Sequence, residues 1–375
     1  MPGLYFHIPF CRKACTYCDF HFVTQLRGKA AMTAAMRDEL TRRYAAGYAD
    51  TVWDTVYLGG GTPSVLDLSE LDLLLTAVRS GGAIRHGAEI TLEANPDDMR
   101  PEQLAGWQSL GINRLSVGIQ SFSDTDLRWM NRSHTGAEAA ACVRLAREAG
   151  FRHLSLDLIF GLPGLSDTAW EENIRHALDL RPDHLSVYSL TVEDKTALAH
   201  QVRQGQTLVP PEDAYARQFM LAHDLLTAAG YIHYEISNYA LPGCHARHNS
   251  AYWAGEPYLG IGPAAHAYDG RYRWWNHANN ARYLKALTAG TWPEAARELL
   301  SAENQYHEYI ITRLRTHHGI SLPQARSWVP DWDERFMPSV RDWMALDLVT
   351  LTEDTLRATP AGWMVADALA TALFL

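Results

Sequence analysis

The sequence predicts an α/β protein: a partial (β/α)6 barrel, then an α+β extension and a small winged-helix-like end. Three observations carry the prediction. β-rich runs and helical periodicities alternate at roughly thirty-residue intervals through the first half of the chain. Turns rich in cysteine, glycine or polar residues follow five successive strand runs. Beyond residue 195 that rhythm stops.

The strand runs are 4–8, 55–58, 89–93, 114–118, 153–159 and 184–190, and the helical patterns are 28–48, 67–79, 101–110, 136–149 and 167–180. Their alternation reads as parallel βαβ units that curl into a barrel over residues 1–195. Residues 196–300 form the extension: a polar stretch to Pro210-Pro211, a helix over 212–229, and an aromatic, histidine-rich segment over 231–275 that does not read as another βα unit. Residues 301–375 read as two helices and a short β pair, 348–351 with 355–358.

Composition narrows the function. The chain has 375 residues, 47% of them apolar and 20% charged, so it is globular and not disordered. Its net charge of −10 opposes a role in coating nucleic acid or an anionic membrane. No apolar run approaches a membrane span, and the first eight residues lack the basic-then-apolar pattern of a signal peptide. Three of the five cysteines fall within eight residues, which suits a metal or redox centre in the reducing cytoplasm better than a disulfide scaffold.

That cluster, Cys11-Arg12-Lys13-Ala14-Cys15-Thr16-Tyr17-Cys18, directly follows the first strand. Closely spaced thiolates favour zinc, copper(I) or an iron–sulfur cluster. A Cys3His zinc site using His21 or His7 is the competing reading. Three ligands on a four-iron cluster would leave one iron open to a further ligand. Gly59-Gly60-Gly61-Thr62-Pro63 lets a ligand approach the backbone, and no lysine follows as a nucleotide phosphate loop would need. Glu93, Gln120 and Asp157 lie in or just beyond three further strands, and Arg132 lies in the Asn131-Arg132-Ser133-His134 loop, where it can pair with a carboxylate.

Cys-x-x-x-Cys-x-aromatic-Cys at the end of the first strand resembles the signature of radical S-adenosylmethionine proteins. Tyr5-Phe6-His7-Ile8-Pro9-Phe10-Cys11, the glycine loop, Asn113 to Phe122 and Asp157 to Gly164 resemble the coproporphyrinogen-dehydrogenase branch along essentially the whole chain. The resemblance implies a 4Fe-4S cluster on Cys11, Cys15 and Cys18. It also implies one or two S-adenosylmethionine molecules contacted by Tyr5, Tyr17, Gly60, Gly61, Thr62, Glu93, Gln120, Arg132 and Asp157. In such proteins one electron from the cluster cleaves the sulfonium to give a 5′-deoxyadenosyl radical. Two departures stand out: Leu165-Ser166 where relatives usually show Gln-Thr, and Asn131 where they usually have glycine.

Two members of the branch compete. One is the oxygen-independent coproporphyrinogen III dehydrogenase; the other is the HemW-type heme chaperone, which would require an electron donor and heme-acceptor proteins such as respiratory enzymes. The dehydrogenases resemble one another in a fourth cysteine after the triplet and a substantial segment before it. Here Asp19-Phe20 follows Cys18, and only ten residues precede Cys11. His248-Asn249-Ser250-Ala251-Tyr252-Trp253 matches the His-Asn-x-x-Tyr-Trp motif of the chaperones and makes His248 the first candidate for a heme contact. Cys244 ranks behind it, with His245, His266 and His277 as rivals, and Arg247, Arg271 and Arg273 could pair with heme propionates. Cys142, on the helical face of Leu145 and Ala146, reads as a small buried hydrophobe. Radical cleavage in the working cycle is left open, so the chaperone reading assigns no catalytic residue.

Overall fold

The computed structural model describes residues 2–375. Six parallel strands alternate with helices: β1 (Gly3–Ile8), α1 (Lys29–Arg43), β2 (Val52–Gly60), α2 (Leu68–Gly81), β3 (Ala83–Ala94), α3 (Pro101–Ser109), β4 (Arg114–Gln120), α4 (Asp124–Trp129), α5 (Gly136–Glu148), β5 (His153–Phe160), α6 (Asp167–Asp179) and β6 (His184–Ser189). All six expected strands and five expected helices are present; the helix predicted over 28–48 ends in a π-type turn, Tyr44–Tyr48.

The strands alternate by chemistry. Leu4, Phe6 and Ile8, Val56 and Leu58, Leu115 and Val117, and Leu154, Leu156 and Leu158 join one core with Met32, Met36, Leu71 and Leu74 of the covering helices. The intervening residues are polar and meet one another: Tyr57 with Glu93, Ser116 with Asp157, Ser155 with His184. Parallel registers such as Glu93 opposite Ser116 and Gly118 opposite Asp157 keep these residues level across the strands. The side facing away from the helices is therefore lined by polar groups that need partners.

The extension contributes α7 (Ala197–Arg203), α8 (Glu212–Ala228), β7 (Ile232–Glu235), β8 (Asn238–Ala240), α9 (Arg247–Trp253), β9 (Tyr258–Ile261), β10 (His266–Tyr268), β11 (Tyr272–Asn276), α10 (Asn280–Thr288) and β12 (Glu294–Leu299). Its strands lie on both edges of the barrel sheet, whose order is β12-β11-β10-β9-β1-β2-β3-β4-β5-β6-β8-β7. The change near residue 195 is thus a change of chain path and not a break in the sheet. β9, arriving after α9, pairs parallel with β1, so one further helix–strand step is present where the sequence suggested none. A strand of four residues is too short to show a period of its own.

The last segment runs α11 (Ala302–Leu314), β13 (Ile320–Ser321), α12 (Leu322–Trp328), α13 (Trp332–Ala345), β14 (Val349–Thr352), β15 (Thr355–Ala358), α14 (Pro360–Trp363) and α15 (Ala366–Ala372). Helices α11 to α13, interleaved with a three-stranded antiparallel sheet, β13-β15-β14, give the winged-helix-like end. Among the described residues, no helix is long and apolar enough to cross a membrane.

A buried ion pair ties the far edge of the sheet to the barrel. Glu39 of α1 has no exposed surface and accepts from Gly262 N (3.0 Å), Asn276 Nδ2 (2.9 Å) and Tyr283 Oη (2.7 Å), beside Arg43 at 3.3 Å. Removing the carboxylate would leave three buried donors without their acceptor and Arg43 with only its second partner, Glu294, at 2.9 Å. Glu39→Ala is therefore expected to destabilise the fold by about 3 kcal/mol or more, read as a shift in the urea midpoint. An unchanged midpoint would contradict this role for Glu39.

Candidate functional site

Both ends of the cysteine loop are pinned. Cys11 N donates to Val23 O (3.0 Å) and Val23 N donates to Pro9 O (3.0 Å), so the chain leaves β1 and returns alongside it. The glycine loop continues the pairing of β1 with β2, with Gly61 N on Ile8 O and Thr62 N on Phe10 O, both at 2.8 Å. Glycine is required there: Gly60 has φ +106°, and a Cβ on Gly61 would stand 2.7 Å from Phe10 O.

Thr62 Oγ1 donates to Cys11 Sγ (3.3 Å), and Arg132 Nη1 donates to Cys15 Sγ (3.5 Å). The unusual Asn131 adopts φ +60°, a left-handed conformation that asparagine tolerates better than most residues, and its Nδ2 donates to Ala14 O (2.8 Å). The residue in place of glycine thus keeps the turn and adds a tether to the cysteine loop. In the other departure, Ser166 caps α6 by accepting from Ala169 N (3.1 Å).

These loops enclose a cavity of about 460 Å³ at the carboxyl ends of the strands. Cys11, Cys15, Cys18, Tyr17, Gly60, Gly61, Thr62, Glu93, Gln120, Arg132 and Asp157 all line it. Tyr5 does not; it lies below, its hydroxyl 3.1 Å from His7 Nδ1 and its ring 6.1 Å from that of Tyr57. Asn95, Ser116 and Tyr188 also line the wall. Asn95 holds Arg132 Nη2 at 2.7 Å, and its place straight after a strand end was the signal that could have found it.

The electrostatics favour a cation. Glu93 accepts from Tyr57 Oη (2.7 Å) and Gly60 N (3.2 Å), yet burial, with Asp157 nearby, raises its pKa to about 7. Burial likewise raises Asp157 to about 6, against the opposing hydrogen bonds of Ser186 and Ser116. Two carboxylates thus face one cavity with too little compensating charge of their own. Arg132 retains a buried Nε with no partner among the described residues, a donor available to a ligand carboxylate. Carboxylates for an ammonium or sulfonium and a guanidinium for a carboxylate fit an amino-acid-bearing nucleoside such as S-adenosylmethionine.

The thiols suit iron. Burial pushes Cys11 up to about 12 and Cys18 to about 11, so ligation would release protons. Among the described residues, no three His, Cys, Asp or Glu side chains form a group that could hold one metal ion. Thiolates that each take a different iron of a cluster need no such convergence. The histidines of the zinc reading are engaged elsewhere: His7 Nε2 with His21 O (2.8 Å) and His21 Nε2 with Asn280 Oδ1 (2.7 Å).

His248 lies at the opposite, amino end of the barrel. Glu89 accepts from the backbone N–H groups of Arg247 and His248, both at 3.0 Å, and so fixes the start of α9 against β3. The His248 ring is buried and stacks on Tyr57 at 5.0 Å. Its Nδ1 is 2.7 Å from Thr55 Oγ1, and its Nε2 is 2.8 Å from Tyr252 Oη. Burial lowers its pKa to about 3, so the imidazole is neutral, and both nitrogens have hydrogen-bond partners. Sequence reasoning missed Glu89, Thr55 and Tyr57; the acidic residue inside an otherwise buried strand was the available clue. Cys142 is buried in the core as expected.

Comparison with known proteins places this geometry. The family model described as the radical SAM superfamily matches residues 5–177, and the HemN C-terminal domain matches residues 300–365. A protein named heme chaperone HemW from Mycobacterium tuberculosis is 39% identical over 375 residues, covering 99% of this chain and 94% of that protein. The protein of that name from Escherichia coli K12 is 32% identical over 374 residues, covering 98% and 96%. Among solved structures, coproporphyrinogen III oxidase (HemN) from Escherichia coli superposes with a TM-score of 0.86 at 22% identity, over 100% of this chain and 90% of that one.

A cationic ligand stabilises the ionised carboxylates, so its affinity is full above the raised pKa values and is lost as pH falls through them. S-adenosylmethionine affinity of the cluster-loaded protein is expected to fall by about tenfold per pH unit below pH ~7, and Glu93→Gln is expected to remove the upper part of that dependence. A wild-type affinity flat from about pH 5.5 to 8 would contradict this.

Proposed function

Because the chain belongs to the heme chaperone HemW family within the radical S-adenosylmethionine superfamily, we propose that it binds heme and transfers it to acceptor proteins. The observation that carries this is the relation along 98–99% of the chain, at 32–39% identity, to proteins named heme chaperones. The oxidase likeness, at 22% identity, is one of fold. Asp19-Phe20, at the cavity wall where the dehydrogenases carry a further cysteine, supports the chaperone over the decarboxylating enzyme.

Cys11, Cys15 and Cys18 would hold the 4Fe-4S cluster, with Thr62 and Arg132 donating to the sulfurs of Cys11 and Cys15. Tyr17, Gly60, Gly61, Thr62, Glu93, Gln120, Arg132 and Asp157 would receive S-adenosylmethionine from the cavity wall, while Tyr5 supports that wall from below. When bound, the cluster supplies single electrons, which require an external donor. Within the chain, Glu93 and Asp157 orient the cationic end of the ligand, Arg132 its carboxylate, and the half-enclosed cavity limits water. Heme contact is assigned to the segment around His248, at the other end of the barrel. Respiratory enzymes are the acceptor class, and the cytoplasm is the compartment, in keeping with five unpaired cysteines.

The test is anaerobic reconstitution followed by heme titration and incubation with coproporphyrinogen III, S-adenosylmethionine and a reductant. Expected are about four irons per chain, abolished in the Cys11→Ala, Cys15→Ala, Cys18→Ala triple variant, with heme uptake and no protoporphyrinogen. Protoporphyrinogen formation would establish the dehydrogenase instead.

A further inference from the structure

Three successive inward positions of β2 connect the two ends of the barrel. Side chains alternate along a strand, so Thr55, Tyr57 and Gly59 share one face. Thr55 is buried, with its Oγ1 2.7 Å from His248 Nδ1. Tyr57 stacks its ring on that of His248, with centroids 5.0 Å apart and planes at 24°, and its hydroxyl donates to Glu93 Oε1 at 2.7 Å. Burial, with Glu93 beside it, raises the Tyr57 pKa well above its ordinary value, so the hydroxyl keeps its proton and remains a donor.

These groups are packed without slack. A Cβ on Gly59 would stand 2.8 Å from Tyr57 Cε1 and 2.9 Å from Glu93 Oε1, so the pair rests on the bare backbone that leads into the glycine loop. A Cβ on Gly3 would stand 3.1 Å from both His248 Cε1 and Thr55 Oγ1, so the imidazole rests on β1 in the same way. In an interior this dense, a ring cannot turn without moving the ring stacked on it.

Glu93 has two donors, Tyr57 Oη and, at 3.2 Å, Gly60 N. Hydrogen bonds favour the ionised carboxylate, which is the form that attracts a cation. Loosening Tyr57 therefore removes the shorter of the two bonds that keep Glu93 charged and in place. At the amino end both nitrogens of His248 are engaged, Nδ1 with Thr55 and Nε2 with Tyr252 Oη at 2.8 Å. Iron can reach a ring nitrogen only after one of those bonds opens and the ring turns against Tyr57.

We propose that Tyr57 is the positioning residue through which α9 sets the affinity of the carboxyl-end cavity for S-adenosylmethionine, so that heme at His248 and S-adenosylmethionine at Glu93 weaken each other's binding by the same factor without sharing a site. This rests on the heme-chaperone reading and adds its regulation: the heme-loaded chain holds S-adenosylmethionine less firmly than the empty one.

The experiment is equilibrium binding of radiolabelled S-adenosylmethionine to the cluster-loaded protein at rising heme concentration, for wild type, Tyr57→Phe and Thr55→Val. In the wild type the dissociation constant is expected to rise about tenfold and to level off once heme saturates. Tyr57→Phe keeps the ring and removes the O–H; it is expected to bind S-adenosylmethionine about tenfold more weakly without heme and to show no further change with it. A residue that only supported the fold would lower the affinity and leave the heme effect in place, and that result overturns the proposal. An unchanged wild-type affinity at saturating heme overturns it, as does a rise with no plateau, which is competition for one site. Thr55→Val, beneath the cavity, releases one nitrogen of His248 and is expected to weaken S-adenosylmethionine about threefold without heme. Wild type that takes up no heme overturns the chaperone reading, and the role of Tyr57 is then decided by Thr55→Val: weaker S-adenosylmethionine binding supports it, and wild-type binding overturns it.

Discussion

The whole molecule depends on the alternation of side chains along β1 to β6. One set of residues is apolar and is buried against the helices, so the other set, chiefly Tyr57, Glu93, Arg114, Ser116, Asp157 and His184, must face the inside of an incomplete barrel. Polar groups taken out of water must be paired, and a barrel interior lined with them cannot close as an ordinary apolar core. Two solutions are visible. At the carboxyl end the polar residues surround a cavity ready for a charged ligand; at the amino end the chain itself returns, through α9, to fill the floor.

The floor and the cavity touch through one residue. Tyr57 stacks on His248 below and donates to Glu93 above, so the position of α9 bears on a carboxylate of the cavity. Glu89 plays the reciprocal part from the strand side, by holding the first N–H groups of α9. The histidine of the motif is therefore held on both ring nitrogens, by Thr55 and Tyr252, and couples the floor to the strands.

The sequence made the first half of the fold and most of the carboxyl-end site legible because those features are local. Each strand of β1 to β6 is followed at once by its functional loop, so an unusual residue after a strand run is already near the site. Tyr5 escaped that logic because it lies mid-strand, one layer below the cavity. β7 to β12 were not legible, since strands of three to six residues carry little period, and their pairing at both sheet edges is decided by the barrel they join.

The central claim is that one barrel carries two ligands at opposite ends, the nucleotide against Glu93 and Asp157 and the heme against the segment around His248. The most direct test is heme titration of the cluster-loaded protein with and without saturating S-adenosylmethionine. The account predicts one heme per chain in both cases, so the two ligands do not compete. Displacement of heme by S-adenosylmethionine, with heme affinity falling in proportion to its concentration, would place both ligands in one cavity and contradict it.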